Sequence, residues 1–180
     1  DENDIKILDM NDDGDITFVV YGYMNRGKHE GKVGIAVYNF IASKDKLYEV
    51  LFVENDKPYN ILKEDMETLM YLNKEGEFYY FDNDSIVKVD IETKKAKVLI
   101  ENVLGEYLAV SKDNHLIGYQ KEMLPQDNEV ITILDLEAKT RREITSNKGE
   151  RIEAIGFIES DFIMGRIREE DIEVNTDKTV

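Results

Sequence analysis

The chain has 180 residues, 42% of them hydrophobic and 34% charged, enough for one cored domain under a heavily solvated surface. Its 39 acidic and 23 basic residues leave a net charge of −16, which opposes nucleic-acid backbones and anionic lipid surfaces, since both are read by clustered Lys and Arg. Cysteine is absent, which excludes disulfides, thiolate metal sites and a cysteine nucleophile but leaves the compartment open.

No apolar run reaches the roughly 18 residues that a membrane-spanning helix needs, and no signal peptide is recognisable. The chain opens at Asp1 and reads at once as strand. A piece of a larger or processed protein is therefore expected, with a surface or secreted setting preferred.

In chain order, Ile5, Ile7 and Met10 predict a first strand, and residues 16–23 (ITFVVYGY) a second, joined by a very acidic turn over 11–15. A polar, glycine-bearing loop over 24–32 leads to strands over 33–40 and 47–53. After a loop at 54–60, Ile61, Leu62, Met66, Leu69 and Met70 are spaced closer to a helical than a strand period, which predicts a short helix over 61–67. Strands follow over 68–72 and 78–81. Residues 86–100 (IVKVDIETKKAKVLI) alternate, turn on charged residues and alternate again. Further strands are expected over 107–110, 115–120, 130–136, 141–145, 151–157 and 162–167. A longer loop over 121–129 holds Pro125, and a polar tail runs from 168 to 180.

Two features of this series recur. Acidic or small polar turns fall near Gly14, Gly76, Asn114 and Asp161, and a polar residue closes every third strand at Asn39, Asp90 and Asp135. Such an Asp is expected to accept backbone N–H groups in the turn that follows. A period in the forties with four short strands per unit is that of a propeller blade. The Ile-x-Val-Asp strand, charged turn and fourth strand resemble the blades of bacterial propellers of the TolB and YWTD types. The WD40 signature is lacking, since the chain has no Trp. The resemblance implies an all-β domain over 1–167, with units at roughly 1–60, 61–103, 104–148 and 149–167. That is a partial β-propeller of antiparallel four-stranded blades, about three and a half in number. A β-sandwich built from the same hairpins is the alternative.

Two loops of the first unit carry candidate chemistry. Asp9, Asn11, Asp13 and Asp15 place oxygens on alternate residues with Gly14 at the corner, and Ca2+ is the cation such a ladder takes. The run resembles the opening of an EF-hand loop and the calcium hairpins of integrin α-type propellers. It departs from the first at Val20, where the closing Glu would stand, and from the second at Thr17, where a further Asp would stand. A plain Asp-Gly hairpin turn is the competing reading. The second loop holds Asn25, Arg26, Lys28, His29 and Lys32, a basic knot in an acidic chain, expected to meet an anionic ligand or a protein partner. Its Gly22-to-Lys28 spacing is near that of a P-loop, but His29 replaces the Mg2+-binding hydroxyl and no helix is predicted to follow.

The two histidines, His29 and His115, lie far apart in sequence without cysteine, which speaks against zinc. There is no Gly-x-Ser-x-Gly elbow. Tyr71, Tyr79, Tyr80, Tyr107 and Tyr119 fit sheet packing, with a sugar or peptide groove as the rival role. The expected function is a non-enzymatic binding module of a larger protein, with a protein or glycan partner and no confident cofactor. The alternative is a fragment of a propeller enzyme acting on glycans, with its catalytic residues outside this chain.

Overall fold

The computed structural model describes residues 2–103, 105–120 and 130–171. The expected 121–129 loop and residues 172–180 of the tail lie outside the described residues. The chain forms two compact units, Asp1–Leu99 and Ile100–Val180.

The first unit holds two sheets, each a meander of consecutive strands. In the first sheet β1 (Asn3–Met10), β2 (Ile16–Tyr23), β3 (Val33–Ile41) and β4 (Lys46–Asn55) lie in the order β1-β2-β3-β4, all antiparallel. A helix, α1 (Tyr59–Thr68), leads to the second sheet of β5 (Met70–Leu72), β6 (Glu77–Asp82), β7 (Ser85–Asp90) and β8 (Ala96–Ile100), again in sequence order. The second unit repeats the pattern with β9 (Leu108–Val110), β10 (Leu116–Tyr119), β11 (Val130–Asp135) and β12 (Thr140–Thr145), and adds a two-stranded ribbon of β13 (Glu150–Ile158) and β14 (Asp161–Arg168). Three four-stranded blade-like sheets and half of a fourth are therefore present, as the repeat predicts. Among the described residues no sheet contains the strand crossovers of a Greek-key sandwich.

The cause is the period-2 alternation of the strands. In β2, Val19 and Tyr21 are buried. In β3, Ile35, Ala36 and Val37 are buried on both faces, as befits an interior strand. Val19, Tyr21, Ile35, Val37 and Leu51 of the first sheet join Leu62 and Met66 of α1 and Phe78, Tyr80, Val87 and Val89 of the second in one apolar cluster. Each such side chain contributes about 1.5–3 kcal/mol when fully buried. The helix exists because Leu62, Met66 and Leu69 recur at i, i+4 and i+7, a helical face that a strand would split between two sides. It runs two residues earlier and one later than its sequence spacing indicates, since Pro58 presets its entry and offers its carbonyl to the N–H of Ile61 and Leu62. Leu69 ends it by turning extended.

The acids that close the third strands fix turns. Asp90 Oδ1 accepts the Thr93 N–H at 2.7 Å and its hydroxyl at 2.9 Å, and Asp135 Oδ1 accepts the N–H groups of Glu137 and Ala138 at 2.9 and 2.8 Å. The bonds from Thr93 hold the Asp90 carboxyl below the ordinary carboxylate range. Asn39 behaves differently. It lies inside β3, where its Oδ1 accepts the Thr17 hydroxyl across the strand pair. In the second unit, Gln120 is buried and ties the third sheet to the ribbon, donating to Ile152 O and accepting from Ala154 N–H.

Candidate functional site

The acidic turn is a hydrogen-bonded hairpin corner. Asn11 Oδ1 accepts the N–H groups of Asp13 (3.0 Å) and Asp15 (2.9 Å), while Gly14 N–H donates to Asn11 O and Asn11 N–H to Asp15 O. The next sheet repeats this set. Asn73 Oδ1 accepts from Glu75 and Glu77 N–H, Gly76 N–H donates to Asn73 O, and Asn73 N–H to Glu77 O. An Asn-x-x-Gly-acid turn is thus part of the blade, and the calcium-like appearance of the first copy comes from the acids inserted in it.

Asp9, Asn11, Asp15, Thr17 and Asn39 do line a hollow of about 190 Å³. Three of its oxygens are engaged by donors: Asn11 Oδ1 as above, Asp15 Oδ1 by Ala42 N–H at 2.8 Å, and Asn39 Oδ1 by Thr17. Asp13 is exposed and does not line the hollow. Ca2+ takes six to eight oxygens, and of the four expected ligands only Asp9, Asn11 and Asp15 line the hollow. Among the described residues no group of three or more His, Cys, Asp or Glu side chains is gathered to hold a metal ion. Melting in millimolar Ca2+ and in EDTA is expected to give the same midpoint. A rise with Ca2+, of the kind that saturating a native-state site produces, would contradict this account of the turn.

The basic loop folds back onto β4. Met24 is buried at its base, its N–H donating to Lys32 O and its carbonyl accepting from Gly31 N–H. Gly27 and Gly31 take the left-handed backbone that the loop requires, at φ +86° and +87°. Lys28 Nζ and His29 Nε2 both meet Glu49 Oε1, at 3.1 and 2.9 Å, and Lys32 Nζ meets Glu54 Oε2 at 2.5 Å. The His29 ring lies flat on Phe52, with centroids 3.6 Å apart and planes 7° from parallel. The loop's cations are thus largely answered by acids of the neighbouring strand. Asn25 and Arg26 remain exposed at its tip.

Glu49 reaches this position through a β-bulge. The β3–β4 register runs Val37 to Leu51 and then Tyr38 to Glu49, leaving Val50 unpaired. Because paired residues share a face, the bulge puts Glu49 on the face of Tyr38, opposite the core face of Val37 and Leu51. Burial disfavours the charge on Glu49, but the bonds from His29 and Lys28 outweigh it and hold its carboxyl below the usual range. Gly34, opposite Glu54, makes room for Phe52. A Cβ there would lie 2.5 Å from Val53 O and 2.8 Å from the Phe52 ring.

Beside this face runs a cleft of about 490 Å³, within the size range of small-ligand sites. Lys28, His29, Glu49 and Lys94 supply its polar groups, and Val53, Val89 and Ala96 are among its apolar walls. Lys94 stands on the β7–β8 turn in the left-handed region, φ 59°. The loop residues are legible in the sequence. Glu49, Phe52 and Lys94 are not. The apolar run Val50-Leu51-Phe52-Val53 breaks strict alternation and is the one local sign of the bulge. Tyr79, Tyr80 and Tyr119 are buried packing residues. His115 stands just before β10 with Nδ1 2.7 Å from Asp113 Oδ1. Among the described residues no helix is long and apolar enough to cross a membrane.

No protein-family model matches the chain, and no curated protein matches it. Two solved structures are similar to it. One is TolB from Acinetobacter baumannii, 12% identical, with 91% of this chain and 52% of that chain covered and a TM-score of 0.33. The other is an oligogalacturonate lyase from Vibrio parahaemolyticus, 12% identical, with 99% and 58% covered and a TM-score of 0.34. The chain thus spans between half and three-fifths of the length of these structures.

Proposed function

We propose that this chain is a binding module and that the cleft beside β4 takes a segment of a glycan. The carrying observation is the mixture of groups around one concavity: ammonium donors at Lys28 and Lys94, a carboxylate acceptor at Glu49, and an imidazole at His29, set against aliphatic walls. A sugar ring presents the complement, hydroxyls that both donate and accept and a C–H face that is apolar. The balance of charge in the cleft also suits an uncharged ligand, which the net −16 of the chain does not repel.

The test is calorimetric titration of neutral and uronate oligosaccharides into the wild type and into the Glu49→Gln and Lys94→Ser variants. Binding of a neutral oligosaccharide that weakens at least about tenfold in Glu49→Gln is expected, since loss of a charged hydrogen-bond partner costs about 1.5–3 kcal/mol. Binding that neither variant alters would remove the cleft from the account. Lys94→Ser separates the ligand types, because it weakens a uronate more than its neutral counterpart.

One observation favours a second reading, in which the chain is part of a glycan-active enzyme. His29 and Glu49, 2.9 Å apart at the cleft, form a histidine–carboxylate pair of the kind that holds a proton in place. Chain shortening of a bound oligosaccharide over hours, lost in His29→Gln, is the result that this reading requires.

A further inference from the structure

One wall of the cleft carries a group that changes charge near neutral pH. Lysines stay protonated and carboxylates ionised there, whereas imidazole gains or loses its proton between about pH 5 and 8. The chain has two histidines, and His29 is the one that lines the cleft. Its partner fixes its tautomer. Nε2 lies 2.9 Å from Glu49 Oε1, and an ionised carboxylate only accepts, so Nε2 carries the hydrogen. Nδ1 is then the basic nitrogen of the neutral ring, and among the described residues it has no hydrogen-bond partner.

We infer that a proton taken up at His29 Nδ1 turns the cleft toward glycans bearing carboxylate or sulfate groups, which bind more tightly as pH falls through the histidine range. The charged groups around the ring come from the loop, β3, β4 and the β7–β8 turn. On the loop, Lys28 precedes His29, Arg26 and Glu30 are exposed, and Lys32 is paired with Glu54. β4 supplies Glu49, which Lys28 also meets. Opposite Glu49 on β3 is Tyr38, whose hydroxyl is held above its ordinary range by burial and by the Glu49 charge. Lys94 of the β7–β8 turn lines the same cleft, and Phe52, flat against the ring, is uncharged. With His29 neutral, two ammonium groups stand against one carboxylate. With His29 protonated, three cations do, and Nδ1 becomes an N–H donor that the protein does not claim. By reciprocity, an anionic ligand in the cleft draws a proton onto the ring. The inference rests on the glycan reading of the cleft, and sulfate serves to separate the two.

The test is calorimetric titration of a glucuronate oligomer and a glucose oligomer of equal length, at about pH 5.5 and about pH 8, into the wild type, His29→Gln and His115→Gln. Neither sugar changes its own charge in this range, and the glutamine amide keeps a donor for Glu49 without gaining a proton. Expected for the glucuronate oligomer is at least about fivefold tighter binding at the lower pH in the wild type and in His115→Gln, and a ratio of about one in His29→Gln. The glucose oligomer should show no pH dependence. Near neutral pH the heat of glucuronate binding should vary with the ionisation enthalpy of the buffer, because a proton is taken up. Glucuronate affinity that is equal at both pH values, or a pH ratio that persists in His29→Gln, overturns the inference and leaves the cleft a glycan site. If neither oligomer binds, the glycan reading fails, and titration with sulfate, a dianion throughout the range, decides the inference alone through the amide shifts of residues 28–29 and 49. Tighter sulfate binding at the lower pH that is lost in His29→Gln upholds it. Sulfate binding that is indifferent to pH, or none, overturns it.

Discussion

Replacing Lys57 with methionine is expected to destabilise the first unit by about 3–5 kcal/mol, the usual cost of stranding buried charges. Lys57 follows β4, and its ammonium pairs with Asp65 on α1 and, at 2.6 Å, with Asp82 at the end of β6. Only 11% of its side chain is exposed. One cation therefore joins the first sheet's exit, the helix and the second sheet. Without it two carboxylates face each other away from water. At about 4–8 °C per kcal/mol for a unit of this size, the midpoint of melting falls by more than about 10 °C. Replacing all three residues with apolar ones is expected to recover much of the loss, because no charge then remains unpaired. A midpoint unchanged by the single substitution would show that the trio contributes nothing.

The same trio sets an alkaline limit. Burial works against the charge of Lys57, but the hydrogen bond it donates to Asp65 and the carboxylate charge of Asp82 beside it outweigh it, and its pKa stands above the ordinary lysine value. A raised lysine pKa means that the folded state holds its proton more tightly. The stabilisation is therefore complete below about pH 10.4 and disappears as pH climbs through the folded value. Tyr80 adds to this, since burial, with Asp82 nearby, pushes its hydroxyl up to about 12. Denaturation midpoints followed upward from about pH 9 should fall, and the fall should shrink in Lys57→Met.

Replacing Gly34 with alanine is the second large expected effect, a loss of about 2–3 kcal/mol together with the cleft's ligand. The added methyl would meet a backbone oxygen, Val53 O, as well as the Phe52 ring, and interior strands relieve such overlaps only by shifting. Displacing Phe52 takes away the surface on which His29 is stacked, and with it the placement of His29 at Glu49. Gly118→Ala, whose methyl would meet Phe162 at 2.5 Å in the second unit, is the control. It should destabilise without touching glycan binding. Equal loss of binding in both variants would mean that Gly34 acts only through general stability.

Much of the architecture is legible in the sequence because blades are local. Each strand pairs with its chain neighbour, so alternation and turn residues suffice to place β6 to β8 and β10 to β12. Asp90 and Asp135 announce their turns for the same reason, since the groups they bind lie two or three residues on. The cleft is less legible. Its geometry depends on which of two faces Glu49 occupies, and a single unpaired residue, Val50, decides that. A basic loop in a linear sequence also shows its charges but not their partners. Only the fold reveals that Lys28, His29 and Lys32 lie against Glu49 and Glu54. The acidic turn is legible only in part. Its acids are plain in the sequence, but the role of the Asn11 side chain, and of Asn73 one blade later, in closing the turn is seen only in the fold.

The most direct test of the proposed site is an amide shift map of the isotope-labelled chain during titration with the oligosaccharide that binds best. Shifts confined to residues 28–29, 49–53 and 94–96, around His29, Phe52 and Lys94, are expected. Shifts centred on the 11–15 turn or on β14, or none at saturating ligand, would contradict it.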